Sequence, residues 1–481
     1  MKKFSIILFA TVISIAAFSQ NENDALRYSL INYNGTARFS GLSGAYGAVG
    51  ADFSSLSQNP AGIGLFRRSE FTITPMFDGA KTESSFAGSS NNEMRNAIYL
   101  GNIGYVWAIK LKDKNNNGLK QLQFGFGVNR TSLFNNRMVI SGFNNENSLL
   151  TSYINQANAS GTGLADMDNF GAGLAYDVNL IYVNDATCKY AIDMPNGGVQ
   201  QTKTIETKGS MSETVLSMGG NFNDKLYVGA TVGFPDIRYE EQSTYTEEDL
   251  NNLNPYFKSF KRTENLKTTG SGVNLKFGFI YSPISFLRIG GALHTPTNYY
   301  SMTDKWNTTM VAVYDQDPTK SKDSPDGSYD YKLYTPMKAI GSIAFILGQF
   351  GLISADYEYV DYSTAHLSAK DYNFLDENNN VKSKLTSATN IRLGAELKTG
   401  IYAIRGGYNL YGSPYKNEGS LGMGSRQGYS LGFGMHEKGY FLDFAFTHTT
   451  ADDNYYFYDI APASKNTYIT NNYSLTVGVK F

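Results

Sequence analysis

The sequence predicts an all-β protein: a transmembrane antiparallel β-barrel of about 14 strands with an N-terminal hatch of small helices in its lumen. Three observations support this fold. Segments of about ten residues alternate in polarity, their connections are short and long in turn, and a glycine-rich stretch precedes the first strand. The chain has 35 Tyr, 30 Phe and 48 Gly in 481 residues and a net charge of −2, a balance that argues against nucleic acid as a partner.

The first residues have the layout of a secretory signal peptide. Two lysines precede an apolar run over residues 4–17, and small residues stand at the −3 and −1 positions of a cleavage site near Ser19–Gln20. The run is too short to span a bilayer comfortably. We therefore expect residues 1–19 to be removed and the rest to be exported. The single cysteine, Cys188, allows no disulfide within the chain.

Strands are predicted wherever apolar and polar residues alternate with period two. The number of such segments is fourteen, which is even, as closed bacterial barrels require. The segments begin near Phe71, Ala97, Lys120, Ser212, Leu226, Ser271, Ser285, Pro336, Gly351, Thr386, Ile401, Gln427, Tyr440 and Asn472. We expect residues 69–481 to form the barrel and residues 20–68 the hatch.

The connections between these segments alternate in length. Tight turns are predicted at 221–224, 281–284, 348–350, 398–400 and 437–439. Long loops are predicted at 79–95, 131–210, 238–269, 297–335, 361–385, 411–426 and 450–470. Short turns at one end and long loops at the other are typical of barrels in the outer membrane of Gram-negative bacteria, where the long loops are extracellular. This places the protein there, in contact with membrane lipid and lipopolysaccharide.

The last strand ends on the aromatic residue Phe481, with Tyr473, Leu475, Val477 and Val479 on the same face. Such an ending resembles the signal that the barrel assembly machinery of the outer membrane recognises. We therefore expect that machinery to be a partner of the chain.

The segment before the first strand does not alternate. Gly41, Gly44, Ala45 and Ala48 recur at i, i+3, i+4 and i+7, which predicts a stripe of small residues on a helix. In the following stretch Asn59 is a good N-cap, with Pro60 and Ala61 in the first helical positions, so a short capped turn is predicted there.

The stretch GLSGAYGAVGADFSSLSQNPAGIGLF, residues 41–66, resembles the hatch of the FadL-type outer-membrane transporters of long-chain fatty acids and other hydrophobic compounds. That family has a Gly-rich stretch, a polar run and then an Asn-Pro-Ala step. The residues in these roles are Gly41, Gly44, Ala45, Tyr46, Gly50, Ala51, Asp52, Asn59, Pro60 and Ala61. The resemblance implies a fourteen-stranded barrel and passive uptake of a hydrophobic ligand, without a cofactor, a metal or an enzymatic reaction.

In that family the ligand is captured by extracellular loops, held near the hatch and released sideways through a kink in the third strand. The resemblance therefore directs attention to the third strand of this chain, residues 119–129. Gly125 and Gly127 share its inward face, and glycines in strands mark bulges and close approaches. We expect these two glycines at the lateral gate, although glycine is common throughout this barrel.

The alternation of outward and inward residues along the strands also places Arg288, Arg392 and Arg405 on inward faces, a few residues from short turns. Two roles remain open for these arginines. They could bind the carboxylate of a ligand, or they could hold the hatch by pairing with Asp52, Glu396 or hatch carbonyls.

Other functions are predicted less well by the sequence. The strongest alternative is a surface adhesin or structural interaction protein, but such a barrel has no need of a hatch. A general porin would be blocked by the hatch, and no G-x-S-x-G motif supports a hydrolase.

Residues 113–118 and 376–380 space Asp and Asn as calcium loops do, yet lack the closing Glu and are predicted as solvated turns. Residues 147–159, within the second long loop, are predicted to form a helix.

Overall fold

The computed structural model describes residues 21–31, 34–111, 118–161, 163, 167–192, 197–254, 256–417 and 422–481. The predicted signal peptide lies outside the described residues, as do residues 113–117 of the first predicted calcium-like turn. Among the described residues, no helix is long and apolar enough to cross a membrane.

Fourteen antiparallel strands form the wall of a closed barrel, which confirms the predicted fold and strand number. Closure is made by the first and last strands, whose register pairs Phe71 with Val479 and Ile73 with Val477. The strands are β1 (Glu70–Phe86), β2 (Ser89–Lys110), β3 (Leu119–Leu133), β4 (Val199–Phe222), β5 (Leu226–Glu248), β6 (Phe257–Ile284), β7 (Leu287–His294), β8 (Lys338–Ile346), β9 (Gly351–Asp361), β10 (Ser387–Thr399), β11 (Tyr402–Tyr411), β12 (Gly422–His436), β13 (Tyr440–Tyr456) and β14 (Ala463–Lys480).

Several of the predicted long loops are wrong, because the strands continue far beyond ten residues. The stretch 79–95 is a hairpin of β1 and β2, and much of 238–269 belongs to β5 and β6. Further strands extend the wall at the long-connection end: Asn136–Asn144, Asn298–Tyr314, Lys320–Asp323, Gly327–Tyr334 and His366–Ser368. These extensions carry polar residues on both faces, so the period-two signal disappears although the hydrogen-bonded ladder continues.

The two faces of the wall differ in chemistry. Side chains that point outward in the lower wall are large, apolar and exposed, such as Phe126, Phe277, Leu393 and Phe433. Their inward neighbours are small or polar and buried, as Ser354 and Arg392 show. An apolar outside around a polar inside is the arrangement of a barrel surrounded by lipid.

The hatch runs through the lumen from the long-connection end to the short-turn end. Its first helix, α1 (Glu22–Arg27), buries Ala25 and Leu26 in the part of the barrel nearer the long-connection end. A second short helix, α2 (Ala37–Ser40), and two 3₁₀ turns at Phe53–Ser57 and Pro60–Leu65 follow. The chain then joins β1 at the short-turn end of the wall.

The long connection between β3 and β4 lies across the barrel mouth. It contains α3 (Leu149–Ser160), which confirms the predicted helix, and α4 (Ala172–Asp177). Ser152 bonds to Asp459 at one side, and Tyr314 donates a 2.5 Å hydrogen bond to the carbonyl of Val178 at another. These contacts hold the connection as a cap over the long-connection end.

The predicted turn at 376–380 is wrong, since these residues lie in α5 (Leu375–Lys384). The amide of Asn378 accepts from the N–H of Leu367 and donates to its carbonyl, both at 2.9 Å. Val381 is fully buried in the core cluster of the upper barrel. Contacts with distant residues therefore determine the helix, and the local polar sequence does not show them.

Candidate functional site

The hatch is held by hydrogen bonds from its backbone to acidic groups of the wall. The carboxylate of Asp356, on β9, accepts from the N–H groups of Tyr46 and Gly47 at 3.0 Å. It also accepts from the side-chain amide of Gln58 at 3.0 Å. Asp356 is buried with 2% exposure, so water does not weaken these charge-assisted bonds.

A buried chain of charges links α2 to three wall strands. Arg38 of α2 makes two 2.9 Å bonds to the carboxylate of Glu396 on β10. Glu396 accepts a 2.6 Å bond from Arg405 on β11, which donates a 2.6 Å bond to Asp443 on β13. Glu396 and Asp443 have no exposed surface, so each charge depends on its partner.

Arg288 and Arg392 are also engaged inside the protein. Arg288 donates a 2.8 Å hydrogen bond to the hatch carbonyl of Val49. Arg392 bonds to Glu358 at 3.1 Å and lies 3.8 Å from Asp356, the residue that holds Tyr46. All three predicted arginines thus contact the hatch or the acids that bind it.

The predicted stripe of small residues does not lie on a helix. The helix ends at Ser40, and the chain turns through Ser43 and Gly44, which have φ angles of 51° and 74°. Gly50 also has a positive φ, of 65°, which a residue with a side chain adopts only with strain. Gly44 and Gly50 thus serve turns, and Ala45 and Tyr46 are fully buried between them.

Asp52 stabilises the hatch internally. Its carboxylate accepts from the Thr36 hydroxyl at 2.6 Å and from the N–H of Ser54 at 2.9 Å, where it caps a 3₁₀ turn. Burial raises the pKa of Asp52, while these two hydrogen bonds lower it in part. Asp52 makes no salt bridge with the three predicted arginines in the described part of the chain.

Asn59 joins the end of the hatch to its middle and to the wall. Its side-chain oxygen accepts from the N–H of Ala61 at 3.1 Å, so the predicted N-cap is confirmed. Its amide nitrogen donates to the carbonyls of Gly47 at 2.5 Å and Phe279 on β6 at 3.2 Å. One side chain therefore fixes three backbone groups.

We expect Asn59→Ala to loosen this end of the hatch by about 2 kcal/mol, since it removes a cap and leaves two buried carbonyls with fewer donors. Asn59→Asp keeps the capping oxygen and loses the donors, so we expect it to be nearly as disruptive. Limited proteolysis of the folded protein measures the change as faster cleavage within residues 41–66. Equal cleavage rates for wild type and both variants would contradict this role.

Gly125 and Gly127 lie where the hatch touches β3. A Cβ at Gly125 would come within 3.0 Å of Ile63, and one at Gly127 within 2.6 Å of the Phe53 ring. Their backbones pair regularly with Val106 and Gly104 on β2. The gate role of these glycines stays a prediction, because the ladder around them is continuous.

A break in the wall begins just beyond them. The strand β2 pairs with β1 as far as Ser89. Its pairing with β3 on the other side runs only from Lys110 to Asn102. On the other side, β3 shifts register near Arg130 and ends at Leu133. Phe134 and Asn135 interrupt the strand, which resumes at Asn136–Asn144 and pairs with β4. The third strand is therefore interrupted at Phe134 and Asn135, and we call this interruption the kink.

Above the kink, residues 89–101 of β2 and the strand Asn136–Asn144 lie side by side. Among the described residues they share no backbone pairing, and we call this boundary the seam. Two ion pairs cross it: Arg137 lies 3.1 Å from Glu93, and Arg95 lies 3.3 Å from Glu206 on β4. Arg137 also lies 2.9 Å from Glu206, its partner in the ladder on the same side of the seam. Side chains thus replace the usual ladder of backbone hydrogen bonds here.

A cavity of about 400 Å³ lies between the hatch and the kink, and we call it the chamber. Ser40, Ser43 and Gly44 of the hatch form part of its lining, and Leu133 to Asn136 of the kink form another part. The chamber therefore borders both the hatch and the kink.

The sequence analysis included Glu396 as a possible arginine partner, but it missed Asp356, Glu358, Asp443 and the seam. The alternation along β9 was sufficient to predict that Asp356 and Glu358 point inward, because both alternate with the outward residues Ile353, Ala355 and Tyr357. The sequence predicts a loop from residue 131, so nothing in its polarity pattern indicates a strand that is interrupted at Phe134 and resumes at Asn136.

A closed wall, a lumen hatch and a kinked third strand define the class of hatch-plugged β-barrels. No family model matches the sequence, and no curated protein matches it as a relative. Solved structures do share its fold. The monoaromatic hydrocarbon channel CymD is 11% identical with a TM-score of 0.51, over 94% of this chain and 98% of CymD.

The toluene transporter TodX of P. putida is 11% identical with a TM-score of 0.54, over 92% of this chain and 97% of TodX. A FadL homologue of Pseudomonas aeruginosa is 11% identical with a TM-score of 0.53, over 93% of this chain and 98% of that one. At this level of identity the comparison establishes the fold. The chain has the fold of the FadL-type barrels.

Proposed function

We propose that this protein lies in the outer membrane and lets hydrophobic small molecules, such as long-chain fatty acids or aromatic compounds, pass without energy input. The observation that carries the proposal is the combination of a firmly held hatch with a chamber that meets a break in the wall. Because the hatch closes the lumen and the wall is interrupted at the seam, a sideways route out of the lumen remains. An apolar molecule gains free energy by leaving into lipid, so such a route suits it.

The proposed path has three parts. The ligand is captured under the cap at the long-connection end, is held in the chamber against the hatch, and leaves through the seam above the kink. The three arginines act as hatch anchors in this account, since their charges are already engaged by wall acids and a hatch carbonyl. The last strand, which ends at Phe481, is the proposed signal for the assembly machinery.

The test of this function uses purified protein in liposomes. Transfer of a fluorescent fatty acid and of a monoaromatic hydrocarbon from the outside medium is compared with protein-free liposomes and with a plugged barrel of unrelated function. We expect faster transfer of at least one of the two compounds. Mass spectrometry of lipophilic molecules that co-purify with the protein identifies the native ligand class. No acceleration together with no co-purifying lipophile would refute the proposal.

A further inference from the structure

The outer face of the wall carries a groove of about 710 Å³ above the outward apolar side chains of the lower wall. It crosses β4, β5, β6 and the strand Asn298–Tyr314, and its lining includes Lys208, Lys267 and Lys305. All three lysines are exposed, whereas Thr268, the neighbour of Lys267 in the chain, is buried on the inward face. We call this feature the lysine groove. It is separate from the chamber, which lies inside the wall.

The register of the sheet places the three lysines in one row across the wall. Glu240 on β5 lies opposite Lys208 on one side and opposite Lys267 on the other. Lys267 in turn lies opposite Lys305. Like charges directly opposite one another destabilise a sheet. The arrangement of Lys267 and Lys305 therefore costs stability unless an anion lies between them.

The row has three positive charges and one negative charge. The carboxylate of Glu240 is shared, because it lies 2.9 Å from Lys208 and 3.1 Å from Lys267. Among the described residues, Lys305 has neither an ion pair nor a hydrogen bond. The row therefore presents an excess of positive charge to the outside.

The other acidic residues of the groove do not balance this excess. Glu206 pairs with two arginines at the seam. Asp326 accepts a 3.1 Å hydrogen bond from the amide of Asn307, and Glu241 on the inward side accepts one from the Tyr239 hydroxyl. An anion from outside the protein is therefore the partner that the row lacks.

The height of the groove selects the kind of anion. Phe234 is the last outward apolar residue of β5, and Asp236, Arg238 and Glu240 follow it at outward positions. With six residues between the levels of Phe234 and Glu240, the row lies about 15 Å above Phe234 along a barrel whose strands tilt by about 40°. The headgroup layer of a bilayer is only about 5–8 Å thick on each side. The row therefore lies at the level of sugars that project from the membrane surface.

We propose that the lysine groove binds the phosphorylated inner sugars of lipopolysaccharide. A sugar phosphate between Lys267 and Lys305 supplies the missing negative charge in charge-assisted hydrogen bonds. Beside the row, the amides of Gln242, Asn265 and Asn307 bond to one another at 3.0 Å, and each keeps a second N–H for a sugar hydroxyl. The inference rests on the outer-membrane location given in the proposed function, with the long-connection end outside, and it does not depend on transport.

The test measures binding by full-length protein that is refolded in detergent and therefore carries no lipopolysaccharide. The probes are deep-rough lipopolysaccharide (lipid A with its inner core), the same material after removal of its phosphates with hydrofluoric acid, and phosphatidylglycerol. Competition with a fluorescently labelled lipopolysaccharide gives the three Kd values. We expect the intact lipopolysaccharide to bind at least tenfold more tightly than the other two probes. High salt should reduce this preference, because it screens exposed charges.

Two triple variants assign the preference to the groove. The groove variant, which should lose the preference and keep the heat-modifiable gel mobility of the folded barrel, is Lys208→Gln with Lys267→Gln and Lys305→Gln. The control variant changes the net charge equally at three exposed lysines outside the groove and should keep the preference: Lys261→Gln with Lys382→Gln and Lys465→Gln.

Equal Kd values for intact and dephosphorylated lipopolysaccharide would overturn the inference, and so would a preference that survives in the groove variant. Equally tight binding of phosphatidylglycerol would place the anion at the headgroups, and displacement by millimolar inorganic phosphate would assign the groove to free phosphate. Either result would also overturn it. Transfer of a hydrophobic ligand into liposomes separates this result from the proposed function. Phosphate preference without transfer refutes only the function, and transfer without phosphate preference refutes only the groove.

Discussion

Glu396→Gln is expected to free the hatch from the wall while the barrel stays folded. The variant removes the charge that Arg38 and Arg405 share, and breaking one partner out of a buried ion pair costs about 3–5 kcal/mol. The cost falls on the hatch, because the backbone pairing of β10 with β9 and β11 does not involve the carboxylate. We expect the heat-modifiable gel mobility of the barrel to remain, proteolysis of the hatch to accelerate and ion conductance to appear in planar bilayers.

Glu437→Gln provides the matched control, since Glu437 lies exposed in a turn at the same end of the barrel. It should behave as wild type in all three measurements. A Glu396→Gln protein with a protected hatch and no conductance would contradict the anchoring role. Failure of the barrel to assemble would mean that the charge network builds the wall and does not merely hold the hatch.

Locking the seam is expected to stop uptake. In a Cys188→Ser background, Arg95→Cys and Glu206→Cys place two thiols where an ion pair now crosses the seam at 3.3 Å. Linking them with a cleavable bifunctional thiol reagent should lower ligand transfer at least tenfold, because β2 is then tied to β4 and can no longer separate from the strand Asn136–Asn144, which is paired with β4. Reductive cleavage of the link should restore transfer.

The control pair is Gln242→Cys with Asn265→Cys, which links β5 to β6 at a directly paired position of the continuous wall. Cross-linking there should leave transfer unchanged. If the seam link has no effect while the control behaves as expected, the ligand leaves by another route. The Arg95–Glu206 pair is itself partly exposed, so Glu206→Gln alone should raise the transfer rate only severalfold, in line with about 0.2–1 kcal/mol for such a pair.

Much of the wall could be predicted from the sequence, because lipid on one side imposes a strict alternation on each strand. That constraint gave the fourteen segments and the inward positions of Arg288, Arg392 and Arg405. The constraint does not apply to the parts of the strands that extend beyond the membrane. Polar residues such as those at 238–248 therefore appeared as loops, although they continue β5.

The partners inside the lumen could not be predicted in the same way. Arg38 and Glu396 are 358 positions apart, and Tyr46 and Asp356 are 310 apart, so only the closed barrel brings them together. Asn59 was different, because its cap involves Ala61 two residues away and is visible in the local sequence. The kink at Phe134 depends on the register of β3 against β4, which a single strand does not reveal.

The most direct test of the central claim records ligand transfer and ion conductance on the same reconstituted protein. The account predicts that wild-type protein transfers the hydrophobic ligand into the bilayer while its conductance stays at the baseline of a protein-free membrane, since the hatch remains in place. Ligand transfer that appears only together with open-pore conductance, and rises with it in the Glu396→Gln variant, would show that the ligand passes through the hatch and would contradict the sideways route.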